Sequence, residues 1–305
     1  MGKGIVSLYT ILQTLVSSIM QASVLSLSAF AIMLIFKTSN TTNFAQGMIS
    51  AFGAYVAAVL FSELSQNLIV SIIIGIISAF VFGLLIDVVI IRNSKNITPV
   101  GKQMITMGLA LLLIGLIPMT LQKNTPTLAV LAEGNISFRL FGETLVVTKH
   151  ALITFCLSTV IIILLFLALK FTKWGLSVRA VANNEMVAGM MGINTRWTTA
   201  FTWALAGGLG ALAASLYGPF AGMATSVGYM TPIQIQSFMA AILGGFSVFH
   251  GPIVGALLLV FVGNLFGLGG EAMSLYKELI VYGVIFLVIL IKPLGIFGKK
   301  VIKKV

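Results

Sequence analysis

Charged side chains are scarce: they make up 8% of the 305 residues, whereas 59% of the residues are hydrophobic. A soluble domain has about 25% charged residues, so this chain lacks the polar surface that water requires, and lipid must surround most of it. A chain in lipid must pair every backbone polar group internally, which leaves helices or a closed barrel. The apolar runs are long and show no period-2 alternation, which predicts helices of roughly 20 residues and argues against a barrel.

Groups that could carry catalysis or bind a metal are also scarce. Asp87 is the only aspartate, which excludes an intramembrane aspartyl protease, because that chemistry needs two carboxylates sharing a proton. His150 and His250 lie far apart in sequence without acidic neighbours, and the lone Cys156 cannot form a disulfide or a CxxC site within the chain. We therefore predict no catalytic residue, no metal and no cofactor in this chain.

The chain also lacks the groups by which a transporter draws on ATP or on an ion gradient. It contains no GxxxxGK[ST] phosphate-binding loop. Coupling to protons or Na⁺ needs a titrating or coordinating group in mid-membrane, but the acids associated with the apolar runs stand near run ends: Glu63, Asp87, Glu271 and Glu278. A pump built on this chain must therefore take its energy from another subunit. A passive channel or facilitator, or a non-transporting scaffold, stays an alternative.

The net charge of +11 is concentrated in three short segments between or after apolar runs. These are 92–103 (Arg92, Lys95 and Lys102), 170–198 (Lys170, Lys173, Arg179 and Arg196) and the tail (Lys292, Lys299, Lys300, Lys303 and Lys304). The segment 122–149 has balanced charge. The positive-inside rule places the three basic segments in the cytoplasm and 122–149 outside. This distribution predicts contact with a lipid bilayer and argues against nucleic acid.

Eight apolar runs are readable, at about 11–36, 45–62, 68–91, 104–121, 150–171, 198–220, 234–267 and 278–297. The charge assignments require an even number of crossings after residue 198, so 234–267 must cross twice or enter and return. Gly244-Gly245 and Gly251-Pro252 interrupt this run, and both residue types weaken a helix. We predict two short helices around a Gly/Pro break that lines a pathway, with one kinked span as the alternative. The fold class is all-α, a polytopic transmembrane helical bundle of about 8–9 membrane segments.

The cytoplasmic stretch Lys173–Arg196 is amphipathic and rich in small residues. Its apolar face is predicted to comprise Val181, Val187, Met190 and Met191. A short projecting helix of this kind can enter a groove on a partner protein, or it can lie on the lipid head groups. The residues themselves leave both alternatives open.

Four segments, in order over nearly the whole chain, match motifs of one family. They are Asn43-Phe44-Ala45-Gln46-Gly47 with Gly53-Ala54-Tyr55; Arg179, Ala180, Ala182, Ala188, Gly192, Ile193 and Asn194 of R-A-x-A…A…G-I-N; Gly244-Gly245-Phe246-Ser247 with Gly251-Pro252-Ile253-Val254-Gly255; and Pro293-Leu294-Gly295-Ile296-Phe297-Gly298. With these segments the chain resembles the permeases of branched-chain amino acid (Liv-type) ABC importers, most of all the shorter of their two permeases.

The resemblance implies a single transmembrane permease domain over 1–305, with a type II-like importer fold and a cytoplasmic coupling segment at about 173–197. It implies three kinds of protein partner besides lipid: a second related permease, two cytoplasmic ATPase subunits that bind the ATP, and an extracytoplasmic solute-binding protein. It also implies a bacterial or archaeal cytoplasmic membrane. The solute expected is a branched-chain or other hydrophobic amino acid.

The resemblance further implies the residues of two sites. Coupling to the ATPase is expected at Arg179, Ala180, Ala188, Gly189, Gly192 and Ile193. The pathway is expected at Asn43, Phe44, Gln46, Gly47, Gly244, Gly245, Gly251 and Pro252. Gln46 and Met48 stand where the family usually has His and Glu. This departure leaves other solutes of the superfamily open, namely urea or short amides, nucleosides and simple sugars.

Overall fold

The computed structural model describes residues 8–94, 97–121, 127–220 and 230–298. Lys95, the tail lysines after residue 298 and the start of the external segment, 122–126, lie outside the described residues. The helices are α1 (Leu8–Ser39), α2 (Gln46–Ser62), α3 (Leu68–Leu85), α4 (Pro99–Leu121), α5 (Lys149–Phe171), α6 (Lys173–Asn183), α7 (Glu185–Met190), α8 (Thr195–Phe220), α9 (Met230–Gly244), α10 (Gly251–Gly267), α11 (Glu271–Leu275) and α12 (Lys277–Ile291). A π-helical turn, Ile86–Ile91, continues α3.

The long helices follow the apolar runs of the sequence. Within the described residues, five helices are long and apolar enough to cross a membrane: Leu8–Ser39, Leu68–Ile91, Pro99–Ile117, Lys149–Phe171 and Thr195–Pro219. Helices α2 and α10 are apolar but shorter. The run 234–267 is broken into α9 and α10, as the Gly/Pro pattern predicts. The chain is a multi-pass, mostly helical membrane protein.

Contacts divide the chain into two compact units. The first, here called the terminal unit, comprises Met1–Ser26, Val130–Ser158 and Gln236–Val305. The second, here called the central unit, comprises Leu27–Ala129 and Thr159–Ile235. The single permease domain over 1–305 stays a prediction.

Helices α2, α3 and α8 pack in backbone contact in the central unit. A Cβ atom on Gly75 would overlap the Gly53 carbonyl oxygen, and one on Gly207 would overlap the Ala79 carbonyl oxygen. A Cβ atom on Gly83 would come within 2.5 Å of the Trp203 carbonyl oxygen. Small residues permit such close approach, which lets van der Waals packing hold helices together in lipid. The three helices therefore form one tightly packed core, here called the α2–α3–α8 core.

A β-hairpin in the terminal unit corrects the all-α prediction. Strand β1 (Asn135–Leu140) pairs antiparallel with β2 (Glu143–Thr148), within the segment predicted to lie outside. The two residues between the strands, Phe141 and Gly142, have φ values of 52° and 86°. Two positive φ angles suit the type I′ turn, whose twist matches that of the strands. The strands are six residues each, too short to stand out among the long apolar runs of the sequence.

The Gln13 side chain of α1 fastens the hairpin. Its Nε2 donates to the Val146 carbonyl oxygen at 2.6 Å, and its Oε1 accepts from the Val146 backbone N–H at 3.1 Å. We expect Gln13→Leu to speed hydrogen–deuterium exchange of 143–148 by roughly 30-fold, because each of the two lost bonds contributes about 1 kcal/mol. Exchange mass spectrometry measures this, with Gln66→Leu at an exposed position as control. Unchanged exchange in Gln13→Leu would show that Gln13 does not hold the hairpin.

Candidate functional site

The segment that the sequence predicts to be cytoplasmic and to couple the chain to a partner folds as two short helices, α6 and α7. Each begins at a capping side chain, which satisfies backbone donors that the first helical turn leaves free. The Thr172 hydroxyl accepts from the Gly175 N–H at 3.0 Å, and the Asn184 side chain accepts from the Val187 N–H at 3.1 Å. The extended backbone of Asn184 separates the two helices.

The Gly-Ile-Asn motif forms the turn between α7 and α8. Gly192 has φ +82°, and the Ile193 N–H donates to the Ala188 carbonyl oxygen at 3.0 Å. This is the pattern of a helix that ends at a left-handed glycine. The Asn194 side chain then accepts from the Trp197 N–H at 3.0 Å and caps α8. The motif thus fixes the direction in which the segment returns to the membrane helices.

The predicted coupling residues differ in their exposure to solvent. Arg179, Gly189 and Gly192 are exposed, Ala180 and Ile193 are half-buried, and Ala188 is buried. The predicted apolar face is also divided: Val181 packs inward, whereas Val187, Met190 and Met191 are exposed. The face that α6 buries is instead formed by Gly175, Val178 and Val181.

Large apolar side chains cluster at the exposed end of the segment. Met186, Met190 and Met191 are each more than 70% exposed, and Val187 is half exposed. We call these four residues the apolar tip. Methionine is flexible and polarizable, which suits it to adaptable binding surfaces. Such a cluster on a polar segment is typical of an interaction surface.

Residues 40–45 form an irregular stretch between α1 and α2, and the predicted pathway residues of the central unit lie in and beside it. Gln46 donates to the Ala206 carbonyl oxygen at 2.8 Å, and Ala206 lies 11 residues into α8. That distance is about 16 Å along the helix, which places Ala206 in the interior of a helix long enough to cross a membrane. Non-helical backbone at this depth is tolerated only where protein or a cavity surrounds it.

Side chains satisfy the backbone groups of this stretch. The Asn43 carboxamide accepts from the Ala45 N–H at 2.9 Å and donates to Gln46 Oε1 at 3.3 Å. The Phe44 N–H donates to Thr106 Oγ1 at 3.2 Å. Asn43, Gln46 and Met48 are almost fully buried, whereas Phe44 is 38% exposed. The neutral Gln46 therefore serves as both donor and acceptor within a packed site.

Gln234 of α9 is a functional candidate that the sequence did not reveal. Its Oε1 accepts from the Gly47 N–H at 2.8 Å, and its Nε2 donates to the Phe44 carbonyl oxygen at 2.6 Å. A Cβ atom on Gly47 would overlap Gln234 Oε1, which explains the glycine. One amide thus clamps the irregular stretch to the start of α2. No local motif marks Gln234, because its partners lie nearly 190 residues away in sequence.

The other predicted pathway residues, Gly244, Gly245, Gly251 and Pro252, are all buried at the break in the terminal unit. Gly245 ends α9 with φ +88°. Pro252 lies in the first turn of α10, where its missing N–H costs no hydrogen bond. A Cβ atom on Gly244 would overlap the Gly251 carbonyl group. The left-handed glycine therefore makes the break, and the proline starts the next helix.

The closing Pro293–Gly298 loop packs on this break, so two of the four sequence motifs are in contact. The Ile296 N–H donates to the Leu243 carbonyl oxygen at 2.9 Å, and the Phe297 N–H donates to that of Gly244 at 3.3 Å. The rings of His250 and Phe297 meet edge to face at 5.1 Å. The loop satisfies carbonyl groups that the end of α9 leaves free. Assignment of these residues to a pathway stays a prediction.

Comparison with known proteins gives a family match. The family model "Branched-chain amino acid transport system / permease component" matches residues 14–290. The chain is 25% identical to the high-affinity branched-chain amino acid transport system permease protein BraD of Pseudomonas aeruginosa, over 98% of this chain and 99% of that protein. It is 30% identical to the probable branched-chain amino acid transport permease protein LivH of Methanocaldococcus jannaschii, over 92% and 90%.

A third relative is the LivH permease protein of Salmonella typhimurium, 25% identical over 96% of this chain and 97% of that protein. No solved structure matches the chain significantly. The family model covers all the main membrane helices, from within α1 into α12. The chain therefore belongs to the family of permease components of branched-chain amino acid transport systems.

Proposed function

We propose that the chain is one permease subunit of an ATP-driven importer of branched-chain amino acids. The observation that carries the proposal is the family match over 14–290, since relatives of nearly equal length carry branched-chain amino acid transport in their names. The chain itself is not an enzyme in this scheme. It has no phosphate-binding loop, and ATP is bound by partner subunits.

The proposed assembly contains a second related permease, two cytoplasmic ATPase subunits and an extracytoplasmic solute-binding protein. The apolar tip supports docking to an ATPase: α7 contains no Lys or Arg, whereas amphipathic helices that bind lipid head groups are rich in both on their polar face. The proposed architecture is type II-like, with about 8–9 membrane segments that include α9 and α10. The assembly alternates between outward-open and inward-open states.

Leucine uptake by the complete assembly tests the proposed function. The chain is co-expressed with the second permease and the ATPase, and the purified complex is reconstituted in liposomes with the binding protein. Radiolabelled leucine is expected to accumulate only with ATP inside, and excess isoleucine or valine is expected to compete. Uptake that survives ATP depletion would favour the channel alternative. Competition by urea, nucleosides or sugars instead would assign another solute of the superfamily.

Gly192→Val is expected to abolish most uptake without preventing membrane insertion. No atom lies within 4 Å of an added Cβ, so the strain arises from the left-handed backbone alone, about 1–2 kcal/mol for a residue other than glycine. The turn that orients α7 is expected to open, and uptake is expected to fall by roughly tenfold or more. Leucine uptake and size-exclusion elution of a fluorescent fusion are the two measurements.

Gly142→Val is the matched control for this prediction. Gly142 also has positive φ and open space around it, but it lies in the hairpin turn. The two variants therefore introduce the same kind of backbone strain in different segments. Wild-type uptake by Gly192→Val, or an equal loss in both variants, would refute a specific coupling role for this turn.

A further inference from the structure

The only aspartate of the chain, Asp87, lies in the π-helical turn that continues α3. The Arg92 N–H donates to the Asp87 carbonyl oxygen at 2.8 Å, which is the five-residue spacing of a π turn. In an α-helix, two residues five apart point about 140° away from each other. The π turn brings both side chains to one face, and π turns inside helices frequently mark functional sites. The backbone irregularity thus creates the pairing of Asp87 with Arg92.

One nitrogen of the Arg92 guanidinium group makes two contacts. Nη2 donates to Asp87 Oδ2 at 3.2 Å and to the Arg196 carbonyl oxygen at 3.0 Å. The Asp87 side chain is 3% exposed and the Arg92 side chain is 32% exposed. A buried carboxylate is costly without a paired cation, so Asp87 holds Arg92 in place. Arg92 in turn holds the first turn of α8, where the coupling segment ends.

A polar cavity of about 400 Å³ surrounds this contact. Its lining includes Lys102 of α4 and Glu185, the first residue of α7. Close apolar packing therefore does not join the coupling segment to the end of α3 at this point. The hydrogen bond from Arg92 to the Arg196 carbonyl oxygen is a direct polar link between the end of α3 and the coupling segment. Arg92 and Arg196 both lie in segments that the charge distribution places in the cytoplasm.

We propose that Arg92, held by Asp87, is a positioning residue that ties the coupling segment to α3. Movement of the segment pulls on the end of α3, and α3 transmits that movement because it is packed by backbone contact in the α2–α3–α8 core. Asp87 orients the Arg92 guanidinium group, and the Arg196 carbonyl oxygen accepts a hydrogen bond from it. This inference rests on the proposed function, because it names the residues that carry the ATP-driven movement into the membrane.

Uncoupling of ATP hydrolysis from uptake is the expected result of Arg92→Ala in the reconstituted assembly. Leucine uptake is expected to fall by roughly tenfold or more, while ATPase activity stays within twofold of wild type, because the apolar tip is intact. Lys102→Ala is the matched control: Lys102 lines the same cavity and acts on Asp87 through charge alone, since its side chain makes no hydrogen bond or ion pair with the described residues. Equal uptake in the two variants would overturn the proposal.

The double variant Asp87→Arg with Arg92→Asp distinguishes the effect of the Arg92–Arg196 hydrogen bond from that of the Asp87–Arg92 ion pair. It restores opposite charges at the two positions but places a carboxylate, which cannot donate, beside the Arg196 carbonyl oxygen. Expression and elution are expected to recover relative to Asp87→Ala, whereas uptake is expected to stay low. Wild-type uptake in the double variant would show that the ion pair alone matters and would overturn the tie.

A spin label on the isolated permease tests the tie without transport. The label is placed at Met190→Cys in a Cys156→Ser background, since Cys156 is the only cysteine. Electron paramagnetic resonance in nanodiscs is expected to show a more mobile label in Arg92→Ala than in Lys102→Ala. Equal mobility would overturn the tie. Failure of the wild-type assembly to take up leucine would instead count against the proposed function and leave this measurement unaffected.

Discussion

Gly244→Val is expected to reduce the yield of folded permease by about tenfold or more and to abolish uptake. An added Cβ at this position overlaps the carbon and oxygen of the Gly251 carbonyl group, and the Gly251 Cα would lie 2.7 Å away. Backbone atoms cannot rotate aside as a side chain can, so α9 and α10 must separate. Their separation also displaces the closing loop, because the Gly244 carbonyl oxygen accepts from Phe297. Size-exclusion elution of a fluorescent fusion measures the yield.

Gly283→Val is the matched control for that prediction. Gly283 lies within α12 of the same unit, and no atom lies within 4 Å of an added Cβ there. Both variants replace a helical glycine by the same β-branched residue, so any difference between them reports the close approach of α9 and α10. The prediction is wrong if Gly244→Val elutes as a monodisperse peak at the yield of the control.

The break between α9 and α10 illustrates what the sequence could predict. Apolar runs reveal where helices cross lipid, and glycine with proline reveals where one must stop, since both signals are local. The roles of the individual residues required coordinates. Pro252 begins α10 rather than ending α9, and Gly245 has no room for a side chain because the closing loop lies against it. Contacts between the third and fourth motifs span some 50 residues, which no local pattern records.

In the coupling segment, too, the sequence predicts some features, whereas others require the coordinates. Its small residues and asparagines indicated a motif, but the sequence did not tell that Asn184 and Asn194 are helix caps. The π turn at Asp87 could not be predicted from α-helical periodicity, because that periodicity brings together residues three or four apart and not five. The predicted apolar face is also not a single face in the structure: Val181 is buried under the segment, whereas Met190 and Met191 are exposed.

The Gln234 side chain binds one backbone group in the irregular stretch 40–45 and one at the start of α2. Gln234→Leu removes the acceptor of the Gly47 N–H and the donor to the Phe44 carbonyl oxygen. The Gly47 N–H is buried, and leaving such a group unsatisfied costs about 1–3 kcal/mol. The bond to the Phe44 carbonyl oxygen is exposed, so its loss costs less. We therefore expect a lower thermal midpoint and a loss of leucine uptake of roughly tenfold or more.

Gln236→Leu provides the control for this loss, because Gln236 lies two residues along the same helix and its side chain makes no hydrogen bond with the described residues. The two substitutions remove the same amide and add the same apolar side chain. If Gln236→Leu lowers uptake as much, the cause is a general change in α9. If Gln234→Leu alone does so, the irregular stretch beside Gln46 depends on one distant amide. A change there would then reach Asn43, Phe44 and Gly47 together, because Gln234 and Gln46 join them in one hydrogen-bonded site.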